Sequence, residues 1–281
     1  MVNPHSQEIS ASIDIPGRKM NFEFNLDELP KYWYSNDAFR STYMGALSCQ
    51  FPEGEKMFMD AVRDHQHKIK NPRLLEQING FIKQEAMHGH EHSQFNRFLD
   101  TVGYPAAKYE AFQKKERKWM RKYIPAKHML AVTCALEHFT AIMAHQVLTN
   151  PAATEGMDEQ FKELWKWHAA EETEHKAVAF DVYQEAVGSY WIRISAMISI
   201  TIMFITRTSL LQMVFLWKDG QLFKPKTWLS GFNFYFRKPG MVPNLWRDYI
   251  DYFRRDFHPW DHDNREFLTQ WSEDHDNYKT L

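Results

Sequence analysis

Cysteine is scarce: Cys49 and Cys134 are the only two in 281 residues. Two thiols are too few for a disulfide framework, and they fit a reduced, cytoplasmic chain. Charge bias is missing as well. Thirty-four Lys and Arg face 36 Asp and Glu, a formal net charge of −2, which gives no footprint for nucleic acid. The N-terminus lacks a basic segment followed by an apolar run, so no secretory signal is expected. Alternation of apolar and polar residues is absent too, which leaves an all-α chain as the expectation.

What is present is apolar and helical. Hydrophobic residues make up 44 % of the chain, enough for one large domain or a domain with an appendage. Residues 1–35 read as irregular, broken by Pro16-Gly17 and Pro30. Helical signals then dominate, over about 52–69, 72–101, 125–149 and 157–187. Asn71-Pro72 reads as a capped start with Pro in the first turn, Asn150-Pro151 as a break and Gly188 as a stop. A further helix, 106–122, connects the second of these to the third. Two hairpins joined by one crossover predict a ferritin-like four-helix bundle over 36–188, with additional helices in an aromatic extension, 189–281, packed on it. Within that extension Ile194 to Thr206 is apolar or hydroxylic throughout, bracketed by Arg193 and Arg207. The charge-free run is shorter than the roughly 20 residues a span requires. It predicts a buried or homodimer-forming helix first, and peripheral membrane contact through 190–217 as the alternative.

Fourteen His are many, and they run with carboxylates. Glu85-Ala86-Met87-His88 and Glu172-Thr173-Glu174-His175 are both Glu-x-x-His. Positions i and i+3 share a helix face, so a carboxylate and an imidazole so spaced can reach one metal ion. A bundle of this kind also takes one Glu from each partner helix. Glu55 precedes Asn71 by 16 residues and Glu85 follows it by 14. At about 1.5 Å per residue the two stand at nearly equal height in an antiparallel pair. Glu137 lies in the otherwise apolar Val132–Glu137 stretch, where a carboxylate is costly unless it binds a cation. It aligns with Glu172 across the turn near Thr154. The predicted ligands are therefore Glu55, Glu85, His88, Glu137, Glu172 and His175. His92 and His168 fall on the same faces, as further ligands or as partners that orient one. Glu171 competes with Glu172, and Asp181 suits a hydrogen-bond acceptor beside the ligands. Four carboxylates with two imidazoles suit two ions of iron, with manganese or zinc as alternatives.

Phe51-Pro52-Glu53-Gly54-Glu55, Gln84 to Gly89, Ala135 to Thr140 and Trp167 to Lys176 resemble a bacterial family usually called "predicted metal-dependent hydrolase". Phe257-His258-Pro259-Trp260 is similar to that family's C-terminal motif. The resemblance covers about residues 35–262 and implies a metal-dependent activity. The ligand arrangement also looks like that of di-iron carboxylate enzymes that activate oxygen. An oxidase or oxygenase acting on a small, apolar organic substrate is the first expectation. A two-metal hydrolase of an ester or phosphate is the second, and a non-enzymatic metal-binding or iron-storage protein the third.

Overall fold

Asn3, Asp37, Asn71 and Asp158 each place a side-chain oxygen on a backbone N–H of the turn that follows, satisfying donors that a helix start leaves free. In this computed structural model, which describes residues 3–20, 22, 24–25, 29–274 and 279–280, the protein is all-α. The helices are α1 (Pro4–Ser12), α2 (Ala38–Ser48), α3 (Phe51–Gln66), α4 (Pro72–Thr101), α5 (Ala106–Tyr123) and α6 (Ala126–Thr149). They continue with α7 (Glu159–His175), α8 (Val178–Ala186), α9 (Tyr190–Lys218), α10 (Pro225–Phe236), α11 (Met241–Asp251) and α12 (Arg265–Asp274). A two-residue antiparallel pair, Arg18-Lys19 with Lys279-Thr280, is the strand structure among the described residues.

α3 packs on α4 and α6 on α7, while α3 also meets α6 and α4 meets α7 and α8. α5 lies outside α3, where Arg117 bonds Glu53 and Asp60. α2 and α9 close one flank, and α9 rests on α6. An aromatic cluster of Trp33, Phe95 and Phe161, with ring centroids 4.6–5.4 Å apart, fills the end near the α2 terminus.

Two local expectations need correction. Residues 4–12, expected to be irregular, form α1, because Asn3 caps it and Pro4 occupies its first turn. Other parts of that segment, residues 1–2, 21, 23 and 26–28, lie outside the described residues. The helix expected over 157–187 is two helices, with a turn at Lys176-Ala177. The turn carries the Lys176 ammonium away from the helix axis, onto the Trp260 ring and into bonds with the His262 carbonyl and Asn264. His175 thus ends α7.

The N-terminal segment crosses α4 at Gly80. A Cβ there would stand 2.2 Å from the Ile15 carbonyl oxygen, so only glycine admits this approach. The crossing sets the Pro16 carbonyl on Gln84 and carries Arg18 to α7.

A candidate metal centre

Glu85 and His88 on α4, and Glu172 and His175 on α7, bring one donor atom each to within 4.8 Å of one another, all fully buried. A second group, Glu55, His88 and His168, meets the same limit. The helices cross-pair their motifs. His175 Nε2 stands 3.2 Å from Glu85 Oε1 and 3.6 Å from Glu172 Oε2. His88 Nδ1 stands 3.6 Å from Glu172 Oε1. Glu137 is outside both compact groups, but its Oε2 is 3.7 Å from His175 Nε2. All six ligand residues expected from spacing therefore line one buried cluster.

With the carboxyls ionised, nine polar atoms of these six side chains have no hydrogen-bond partner: both oxygens of Glu55, Glu85 and Glu137, Glu172 Oε2, His88 Nδ1 and His175 Nε2; without metal, a retained proton pairs Glu85 with Glu137. Buried polar atoms are normally paired, and an orphan costs about 1–3 kcal/mol. So many carboxylate and imidazole donors facing one another can hold divalent cations. The titration behaviour agrees. Burial, and then the neighbouring carboxylates, push Glu55, Glu85 and Glu137 well above the ordinary carboxylate range. Burial would raise Glu172 too, but His175 and His168 hold it low. Burial opposes protonation of His175, yet Glu172 and Glu137 lift it to about 9. A metal ion supplies the positive charge that protons supply in the metal-free chain.

The hydrogen bonds around the cluster fix which ring nitrogen faces it. Asn96 Nδ2 donates to the Ser48 carbonyl, so Asn96 Oδ1 accepts from Ser48 Oγ at 2.8 Å. Ser48 Oγ then accepts from His92 Nδ1 at 2.8 Å, and His92 Nε2 accepts from His168 Nδ1 at 2.6 Å. That leaves His168 Nε2 as the ring nitrogen that faces the cluster, 2.9 Å from Glu172 Oε1 and 3.8 Å from Glu55 Oε1. In the metal-free chain a proton between this nitrogen and Glu172 makes the hydrogen bond that helps hold that carboxylate low, and a cation there would take the proton's place. His168 thus belongs with the donors, and His92 orients it.

Glu171 and Glu172 separate cleanly. Glu172 faces the cluster, whereas Glu171 Oε1 accepts from Arg18 and its Oε2 lies 3.1 Å from His88 Nε2. With that nitrogen donating, His88 Nδ1 is the bare one. Arg18 also forks onto Glu174 through bonds of 2.6 and 2.7 Å. Glu174 accepts from Gln84 Nε2, and Gln84 Oε1 accepts from His175 Nδ1 at 2.8 Å. One guanidinium therefore orients both motif histidines, His88 through Glu171 and His175 through Glu174 and Gln84. Spacing gave no sign of Arg18; Gln84, beside Glu85 in the sequence, carried a signal only through its place in the motif.

Asp181 is not brought to the cluster. On α8 it bonds Ser10 of α1 and His258. The Phe257–Trp260 motif is thereby an anchor: Trp260 is buried, and its backbone N–H donates to His258 Nδ1. Glu53 likewise turns away, toward Lys56 and Arg117. Gly89 lets α3 approach, since a Cβ there would stand 3.0 Å from Glu55 Oε2.

The centre defines a class: an all-α protein with a buried carboxylate and imidazole site for metal. Comparison with known families agrees. The chain belongs to the predicted metal-dependent hydrolase family, whose model matches residues 16–263. No curated protein and no solved structure matches it.

Proposed function

We propose that this chain is a metal-dependent hydrolase that holds two divalent ions in a ferritin-like four-helix bundle and cleaves a carboxylic ester. The observation that carries the reading is the set of orphaned donors, in a member of a family described by metal-dependent hydrolysis. Two hairpins, α3/α4 and α6/α7, joined through α5, with Glu-x-x-His on the second helix of each, support the bundle. On this reading residues 36–188 form the metal-binding unit, and 189–281 the extension that covers it.

Glu55, His88 and His168 would hold one ion, and Glu85, Glu137 and His175 the other, with Glu172 facing both. Bound there, such ions polarise a carbonyl and lower the pKa of water. The chain's own part is to exclude bulk water, to present bare nitrogens on His88, His168 and His175, and to lock those rings through Arg18, Gln84 and His92. A narrow cavity of about 50 Å³ reaches His168 and Glu172. Its wall is mostly apolar, including Leu47, Phe51, Met143 and Trp165, with Tyr43, Thr140 and Gln146 as its further polar groups. A mostly apolar approach lined by no Lys or Arg suits an ester with a hydrocarbon chain better than a phosphate.

The oxidase expected first from the carboxylate-rich donors finds no support in the family comparison, and hydrolysis replaces it. The test is ester cleavage by protein reconstituted anaerobically with Mn, Zn or Fe(II). Cleavage without oxygen that stops on chelation supports the proposal. Turnover that requires oxygen overturns it.

A further inference from the structure

The apolar segment 190–217 is neither wholly buried nor isolated. α9 is long and apolar enough to cross a membrane by length and composition, yet only 28 % of its most apolar window is buried. One face packs on α2 and α6, burying Arg193, Thr208 and Gln212 among apolar neighbours. Lipid cannot surround such a helix without exposing those polar groups to it. The other face carries Ile198, Ile202, Ile205 and Trp217, each more than half exposed.

Two more helices extend this face. On α10 Leu229, Phe232 and Phe236 are exposed, and Phe223 just before it is 86 % exposed. α11 buries none of its residues and exposes Val242, Trp246 and Ile250. The three helices meet at an apolar cavity of about 420 Å³, walled by Phe204 and Ile205, by Tyr235 and Phe236, and by Val242 and Trp246. So many exposed large apolar side chains on three neighbouring helices, four of them around one cavity, mark a surface that something covers.

The charge around it says what covers it. Residues 190–255 hold ten Lys and Arg against three Asp in a chain whose total is −2; of the ten, Arg193 is buried, and Arg207 and Arg254 pair with Glu116, Asp256 and Asp261. Lys218, Lys224, Lys226, Arg237, Arg247 and Arg255 are exposed on or beside these helices. A second copy of the same face would oppose cation to cation across a two-fold axis. An anionic lipid surface complements both features, since it takes apolar side chains at the acyl boundary and cations at the headgroups. Exposed tryptophans at 191, 217, 228 and 246 suit that boundary.

We infer that α9, α10 and α11 form a docking face that lies on an anionic lipid bilayer, and that the cavity at its centre admits an acyl chain from it. Tyr43, Met143 and Met241 wall both this cavity and the narrow one that reaches His168 and Glu172. The docked protein thus offers a lipid ester an apolar route from the bilayer to the metal centre. Docking stands alone, whereas the ester rests on the hydrolase reading.

The test is flotation of the full chain with vesicles of phosphatidylcholine carrying 30 % phosphatidylglycerol (about the anionic fraction that gives a strong surface potential) and with pure phosphatidylcholine. Binding should be at least tenfold stronger to the anionic vesicles and fall as salt rises. Lys224→Glu with Lys226→Glu, and separately Ile202→Ser with Trp246→Ser, should each weaken it at least fivefold while melting temperature and metal content hold. Absent binding, or binding that both variants retain, overturns docking. A chain that is dimeric by light scattering, and that Trp246→Ser makes monomeric, overturns it as well, by assigning the face to a second copy. Docking that holds while metal-loaded protein cleaves no ester refutes the hydrolase reading and leaves the docking face in place.

Discussion

Replacing Glu137 with leucine should separate stability from metal binding. In the metal-free chain Glu137 is 1 % exposed on α6, raised by burial and by Glu85 and Glu172 beside it. Exchange of buried charged groups for apolar ones of similar volume is neutral or stabilising, by about 1–4 kcal/mol. Glu137 keeps part of its proton without metal, so about 1–2 kcal/mol is the expected gain. At about 2–4 °C per kcal/mol for a chain of this size, the metal-free variant should melt roughly 2–8 °C higher than wild type. Metal reverses the order. An ion supplied at 1,000 times its Kd contributes about 4.1 kcal/mol per site, and the variant forfeits most of that at the His175 side. Calorimetry with chelator and with Mn or Zn reads both effects. The gain should also be larger at pH 8 than at pH 5, because only the wild type must ionise a buried carboxyl as pH rises. A Glu137→Leu chain that melts lower than wild type in chelator and still rises fully with metal would refute the reasoning.

Four other outcomes follow from the same geometry. Glu55, Glu85 and Glu137 hold protons to higher pH when folded, so the metal-free stability they confer is full below about pH 4.3. It declines as pH rises through their raised folded values, and apparent metal affinity should climb up to about pH 9, where His175 loses its proton; proton release in calorimetric titrations checks this. His92→Ala removes the acceptor that fixes the His168 ring and should weaken metal binding about 10–100-fold, a loss that direct titration would register. Arg18→Met unseats both Glu171 and Glu174 and should lower affinity at least as much, with a smaller effect expected of Gln84→Ala, which touches only His175. Gly89→Ala should gain up to about 1 kcal/mol of helix propensity while crowding Glu55, so its metal-free melting temperature should hold and its metal-induced rise shrink.

How far the sequence carried the reading depends on the range of the interactions involved. Helix starts at Asn71 and the Glu-x-x-His spacing are local, and local rules found them. The heights of Glu55 against Glu85 needed only rise per residue and a short connection. The turn at Lys176-Ala177 had no Gly or Pro to announce it, because its cause is the distant Trp260, His262 and Asn264. Arg18 was invisible for the same reason: its partners lie 153 and 156 residues away. The orientation of His168 depends on a chain of bonds through Ser48 and Asn96 that no periodicity encodes. The reaction was read least well, since oxygen activation and hydrolysis draw on the same kinds of donor, and the donor types alone do not choose between them.

The most direct measurement is metal content per chain by elemental analysis after reconstitution, for wild type and for Glu85→Ala and His175→Ala. The wild type should hold about two ions and each variant at most one. Unchanged stoichiometry in both variants, or a wild type that retains no metal, would contradict this.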